Sequence, residues 1–291
     1  MQAGFDRRSA LKLALAAAGV ALAGRSSVSA VEPHVTTPAY NTLTEEEEIA
    51  LGRKFSAEYE KKVELLTNPL IDTYLNSIVK ALGDASQRPR WPYQVKVVNT
   101  REINASAIPG GFLYLQRGLV EFVQDENEMV GVLAHEVGHV VARHTTNQLM
   151  LMFLARNLFE QVKKNILLDN DVIANLIESL GGPLVLLAQL KYSRENESEA
   201  DLLGFYEMLR AGWNPNGLVK FFGRLRQIEG SHTLVDVMLS DHPDTGERED
   251  TIRRELASVE LPATLREQSL EFQALKLALN VLPPAPATRR Q

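Results

Sequence analysis

The chain contains no cysteine. That excludes disulfide staples, a thiolate zinc cage and a lipid anchor attached through a Cys, so any metal must be held by His and carboxylate. No repeat period stands out and aliphatic residues are plentiful, which argues against a disordered or fibrous chain. Positive charge is in deficit, 31 Lys and Arg against 37 Asp and Glu for a net −6. Electrostatic attraction to nucleic acid or anionic lipid is therefore not expected. No uncharged apolar run reaches the ~20 residues that span a hydrocarbon core. What remains is ordinary globular composition, 45% hydrophobic and 23% charged over 291 residues, enough for one large domain or two small ones.

Residues 1–30 read as an export signal. They hold a basic start (Arg7, Arg8, Lys12), an apolar run of 12 residues from Leu13 to Gly24, and Val28-Ser29-Ala30 before a cleavage point. Arg7-Arg8 followed by Ser-Ala-Leu-Lys resembles a twin-arginine signal, a route for folded proteins; an ordinary Sec signal or an uncleaved anchor is the alternative. Its loss takes the net charge from −6 to −9. A periplasmic location is the expectation.

Beyond an extended leader at 31–43, Thr44 precedes four glutamates, an N-cap followed by acids that the helix dipole favours. Ile49, Phe55, Tyr59, Val63 and Leu66 continue at helical spacing. Asn68-Pro69 starts a second helix, and 83–92 is a loop. Tyr93 to Val98, Ile103 to Ala107 and Phe112 to Gln116 read as strands, the last two separated by Pro109-Gly110-Gly111. Asp125 caps a long helix. The pattern then stays helical to about residue 190, broken at 169–171 and 181–183. Further helices are expected at 194–211, 215–229 and after 244, with a loose tail from Pro283. The apolar clusters Leu149–Ala155 and Leu184–Leu190 read as core or as a flap, with peripheral membrane contact as the alternative. This is an α+β pattern, mainly helical with a small sheet, with a catalytic domain expected over 44–258 and a C-terminal helix and tail over 259–291.

His135-Glu136-Val137-Gly138-His139 lies in the helix capped by Asp125. Positions four apart sit ~40° apart around a helix, so both imidazoles can reach one metal. Glu136, ~100° from His135, falls beside the metal, where it can take a proton from water that zinc activates. A hydrolytic zinc site needs a third protein ligand. His144 lies ~140° around the same helix from His139 and is rejected on that ground. In Glu195-Asn196-Glu197-Ser198-Glu199-Ala200-Asp201, Glu197 and Asp201 share a face. Glu197 can ligate while Asp201 accepts the outer N–H of a ligand imidazole. Glu199, two residues on, points nearly opposite.

These motifs, with His242-Pro243 followed by Arg248 and with Asn104-Ala105-Ser106-Ala107 leading into Pro-Gly-Gly, resemble the M48 peptidases over roughly residues 45–255. The resemblance implies a gluzincin fold, one zinc per chain and Glu197 as third ligand. It also implies that His242 lies near the metal, where in some members it takes the fourth position and holds the enzyme latent. Arg248 could stabilise an oxyanion or fix a carboxylate. Asn104–Ala107 looks like the family's active-site edge strand, on which an extended polypeptide could add as a further strand, read through its backbone. The chain shows neither the spanning helices of the membrane members nor room after Asp250 for a tetratricopeptide array.

An exported zinc endopeptidase for misfolded or misassembled envelope proteins is the leading expectation. A chaperone-like binder whose zinc site is blocked by His242 is the second, and a non-peptide zinc hydrolase the third. An intact Glu136 argues against a pure binder, which needs no general base.

Overall fold

A computed structural model describes residues 35, 41–165, 170–228, 242 and 245–286. The segment expected to be an export signal, most of the expected leader and the last five residues lie outside them. A four-stranded mixed sheet sits among helices, in the order β1 (Leu65–Leu66), β2 (Gln94–Val98), β4 (Phe112–Gln116), β3 (Ala105–Ile108). β2 and β4 run parallel, the outer pairs antiparallel. Alternation sorts the side chains to two faces. Val95, Val97, Ala105, Ala107, Leu113 and Leu115 join one core, while Val98, Ile108, Phe112 and Tyr114 join another.

The first core is built with helices α2 (Pro69–Ala85), α4 (Glu126–Val141), α9 (Arg194–Arg210), α10 (Asn216–Ile228) and α12 (Leu270–Asn280). The second is built with α1 (Glu45–Glu60), α5 (His144–Ala155), α6 (Phe159–Asn165), α7 (Asn170–Ser179) and α8 (Gly182–Gln189). Short α3 (Arg117–Phe122) follows β4, and α11 (Thr245–Ser258) packs on α9 and α10.

The expected caps form. Thr44 makes a reciprocal capping box with Glu47, Asn68 caps α2 with Pro69 in its first turn, and Asp125 accepts from the Glu128 N–H. Four expectations are corrected. α1 stops at Glu60, and Leu65-Leu66 leave it to pair with Val97 and Val98, because β2 offers an unpaired edge that a fifth helical turn would not satisfy. The helical run after Val141 breaks at Arg143, whose φ of 60° is left-handed. The break expected at 169–171 comes earlier, since α6 ends at Asn165 and α7 has begun by Asn170. The tail is held as far as it is described: Arg117 donates to the Pro283 carbonyl at 2.6 Å and Arg101 to that of Ala285 at 2.6 Å.

Among the described residues no single helix is long and apolar enough to cross a membrane; α7 and α8 pass that test only as a pair bent by 58°. Of the two apolar clusters, Leu149, Met150, Phe153, Leu186 and Leu190 are core, while Leu154, Leu184 and Val185 face outward.

Candidate metal centre

α4 is buried along its whole length, and glycine lets its neighbours approach. A Cβ on Gly138 would lie 2.4 Å from the Ala200 carbonyl oxygen, and one on Gly204 would lie 2.9 Å from the Ala134 carbonyl. The two helices thus interlock through two glycines, and that close crossing carries Glu197 across to the histidines. Ser193 starts α9 with a capping box to Asn196, which fixes the first turn just before Glu197.

His135 Nε2 and His139 Nε2 lie 3.0 Å apart. Glu197 carboxylate oxygens lie 3.5 Å from the first and 3.4 Å from the second. His242 Nδ1 is 3.2 Å from His135 Nε2 and 3.0 Å from Glu197 Oε1. All four residues are buried, and their donor atoms fall within 4.8 Å of one another. Zinc takes nitrogen and oxygen donors at about 2.0–2.1 Å in a tetrahedron, whose edges are then about 3.3–3.4 Å. The measured separations bracket that edge, so the donor set fits one zinc ion, with His242 at the fourth corner.

Burial and charged neighbours together bias the protonation of each group. Burial opposes charge on Glu197, but His242 and Arg248 outweigh it and hold the carboxyl well below its usual range. Burial and the neighbouring His135 keep His139 neutral, its lone pair free to ligate. Burial likewise disfavours a charged His242, yet Glu197 beside it draws the imidazole up to about 9. Glu136 stands next to the group, pushed up by burial, with Oε1 lacking a hydrogen-bond partner among the described residues and 3.7 Å from His242 Nε2.

Asp201 accepts from His135 Nδ1 at 2.7 Å. Arg248 lies across both carboxylates, 2.7 Å from Glu197 and 2.7 Å from each Asp201 oxygen, with its guanidinium over the Phe222 ring. Of the two readings of Arg248, this geometry matches fixing a carboxylate. His144 stays outside the donor group as expected, but for a different reason. It begins a new helix after the break at Arg143, so a helical-wheel angle from His139 does not apply. Its Nδ1 lies 3.0 Å from His139 Nδ1, outside the four-donor group, and its Nε2 is 3.1 Å from Glu199. Tyr192 was not singled out from the sequence. Its ring lies 4.0 Å from that of His139, and its hydroxyl bonds Thr145. No spacing rule marks it; only its place just ahead of the α9 cap hints at it.

The strand expected from Ile103 runs from Ala105 to Ile108, with Asn104 just outside, and is the sheet edge beside α4. Asn104 Oδ1 accepts from the Ala105 N–H, and Thr145 donates to the Ala107 carbonyl.

Fold and donor set together define a class: an α+β, zincin-like peptidase domain with a buried His-His-Glu group. A family model for peptidase family M48 matches residues 69–256. The chain is 26% identical over 257 residues to the beta-barrel assembly-enhancing protease of Yersinia pestis, covering 84% of this chain and 51% of that one. It is 33% identical over 185 residues to metalloprotease YcaL of Escherichia coli, covering 63% and 69%, and 28% identical over 185 residues to metalloprotease LoiP of the same organism, covering 63% and 70%. The chain belongs to peptidase family M48. It spans about half the length of the beta-barrel assembly-enhancing proteases it matches.

Proposed function

We propose that this chain is an exported zinc metalloendopeptidase acting on misfolded or misassembled envelope proteins. The observation that carries the reading is the group of His135, His139, Glu197 and His242, whose donor atoms all fall within 4.8 Å of one another with neighbouring ones 3.0–3.5 Å apart, and the Glu136 carboxylate alongside. His135, His139 and Glu197 hold the metal. Zinc there supplies Lewis-acid chemistry, polarising a carbonyl and lowering the pKa of water to about 7. Glu136 takes the proton of the attacking water on Oε1 and passes it to the leaving amine. Asp201 keeps the His135 tautomer that ligates through Nε2, and Arg248 holds Asp201 and Glu197 in place. An extended peptide lies along β3, at Asn104–Ala107, for which Asn104 and Thr145 must yield the backbone groups they engage. The envelope substrate and the periplasmic location rest on the relatives' names and on the basic and apolar makeup of residues 1–30. A mature catalytic unit over 44–258 follows from the same reading.

The test is Glu136→Gln: zinc content near one per chain in both proteins, casein cleavage in wild type and none in the variant. Cleavage by Glu136→Gln, or wild type that binds no zinc, removes the proposal. One observation favours a second reading, a latent site in a chaperone-like binder: His242 Nδ1 sits at the corner that an attacking water needs. Clearance of a substrate by Glu136→Gln in cells would select it.

A further inference from the structure

The metal-site reading leaves His144 and Glu199 without a task, although His144 meets the ligand His139 and Glu199 meets His144. Their geometry is directional. His139 Nε2 faces the donor group, 3.0 Å from His135 Nε2 and 3.4 Å from Glu197. A ring that ligates through Nε2 carries its hydrogen on Nδ1. That atom meets His144 Nδ1 at 3.0 Å, inside a buried region where His144 is 4% exposed. His139 Nδ1–H therefore donates and His144 Nδ1 accepts, which puts the hydrogen of His144 on Nε2, 3.1 Å from Glu199 Oε2. The opposite polarity would place a hydrogen on His139 Nε2 and close it to a metal.

The approach depends on the chain break. Arg143 adopts φ 60°, turning the backbone so that His144 swings back onto His139. Arg143 is tied to buried Glu48 at 2.6 Å and to the Leu43 carbonyl at 2.6 Å, and Glu48 also bonds Thr146 and Asn41. A left-handed non-glycine residue is costly unless its surroundings hold it. Here α1 does so.

We propose that His144, backed by Glu199, is the positioning residue for His139, as Asp201 is for His135: a hydrogen-bond acceptor that selects the metal-binding tautomer. The proposal rests on the zinc reading, and zinc affinity separates the two. Full-length protein is stripped of metal, its fold is checked by circular dichroism, and zinc dissociation constants are measured by chelator competition. His144→Leu weakens zinc binding about ten- to hundredfold. His144→Asn, whose Oδ1 stands near the place of Nδ1, restores most of it, which a loss of packing alone would not allow. Glu199→Leu weakens binding less, and serves as the measurement if His144→Leu does not fold. Unchanged affinity in both Leu variants, or equal loss in His144→Asn and His144→Leu, overturns the proposal. Wild type without zinc affinity overturns the metal reading itself.

Discussion

Gly138→Ala tests whether the α4–α9 crossing sets the position of Glu197. The new Cβ would stand 2.4 Å from the Ala200 carbonyl oxygen and 3.0–3.1 Å from its Cα and carbonyl carbon, where ordinary contact begins at 3.4 Å. All three obstacles are backbone, so no side chain can swing aside. The helices must part by about 1 Å, at a cost of about 1–3 kcal/mol for overpacking. Glu197 lies one turn before Ala200 on the moving helix. A shift of that size stretches its distances of 3.4 and 3.5 Å to the histidines beyond a zinc tetrahedron. Zinc affinity should fall at least about tenfold, and peptide cleavage by up to about a hundredfold. Gly223→Ala is the control: in α10 no described residue lies within 4 Å of its added Cβ, so the change should be neutral or stabilising by about 0.4–1 kcal/mol. Chelator competition and thermal unfolding read both effects. Undiminished zinc affinity in Gly138→Ala would refute the argument, and so would an equal loss in the control.

Arg248→Leu strips the cation from two buried carboxylates, Asp201 and Glu197; urea unfolding of the zinc-free protein should show a loss of about 3–5 kcal/mol, not recovered by Lys, whose point charge cannot span both. His242→Ala should raise cleavage of unfolded casein several-fold while zinc stoichiometry holds, and a fall in turnover would end the latency idea. Glu60 has its carboxyl lowered: burial opposes this, but hydrogen bonds from Lys96 and Tyr114 outweigh it. A depressed folded pKa means that its stabilisation is complete above the ordinary value of 4.5 and is lost as pH falls through the lower one. Glu60→Gln should therefore flatten the acid limb of melting temperature against pH, and an unchanged limb would remove Glu60 from the explanation.

Local chemistry was legible wherever neighbours in sequence are neighbours in space. Caps at Thr44, Asn68 and Asp125, the turn at Gly110-Gly111 and the strand Phe112–Gln116 follow from side-chain acceptors, positive φ and alternation. So does the common face of His135 and His139. The four-residue spacing of Glu197 and Asp201 could be read as a ligand beside a hydrogen-bond acceptor, and Asp201 does bond His135. The sequence does not display the partner that decides between two local options. Leu65-Leu66 suit a helix or a strand equally; β2 settles it. The tail from Pro283 has composition typical of a loose end, yet two arginines more than 150 residues earlier grip its carbonyls.

The same reasoning explains why the helical-wheel ground for setting His144 aside does not hold, although His144 does stay outside the four donors. A helical wheel relates two side chains only while one helix joins them, and no residue between His139 and His144 is a helix breaker by propensity. Val140, Val141, Ala142 and Arg143 all continue a helix well enough, so nothing local announces the turn. The break is tertiary. Arg143 reaches left-handed space because its guanidinium meets the Glu48 carboxylate and the Leu43 carbonyl, groups about 100 residues earlier in the chain. Burying that charge uncompensated would be costly, so the pair holds the backbone as firmly as it holds itself. It follows that α1, through Glu48, takes part in placing His144 beside His139. Glu48→Gln should then loosen the left-handed turn, release His144 from His139, and lower zinc affinity without touching a ligand. Chelator competition beside the His144 variants checks this, and an unaltered dissociation constant in Glu48→Gln would detach α1 from the site.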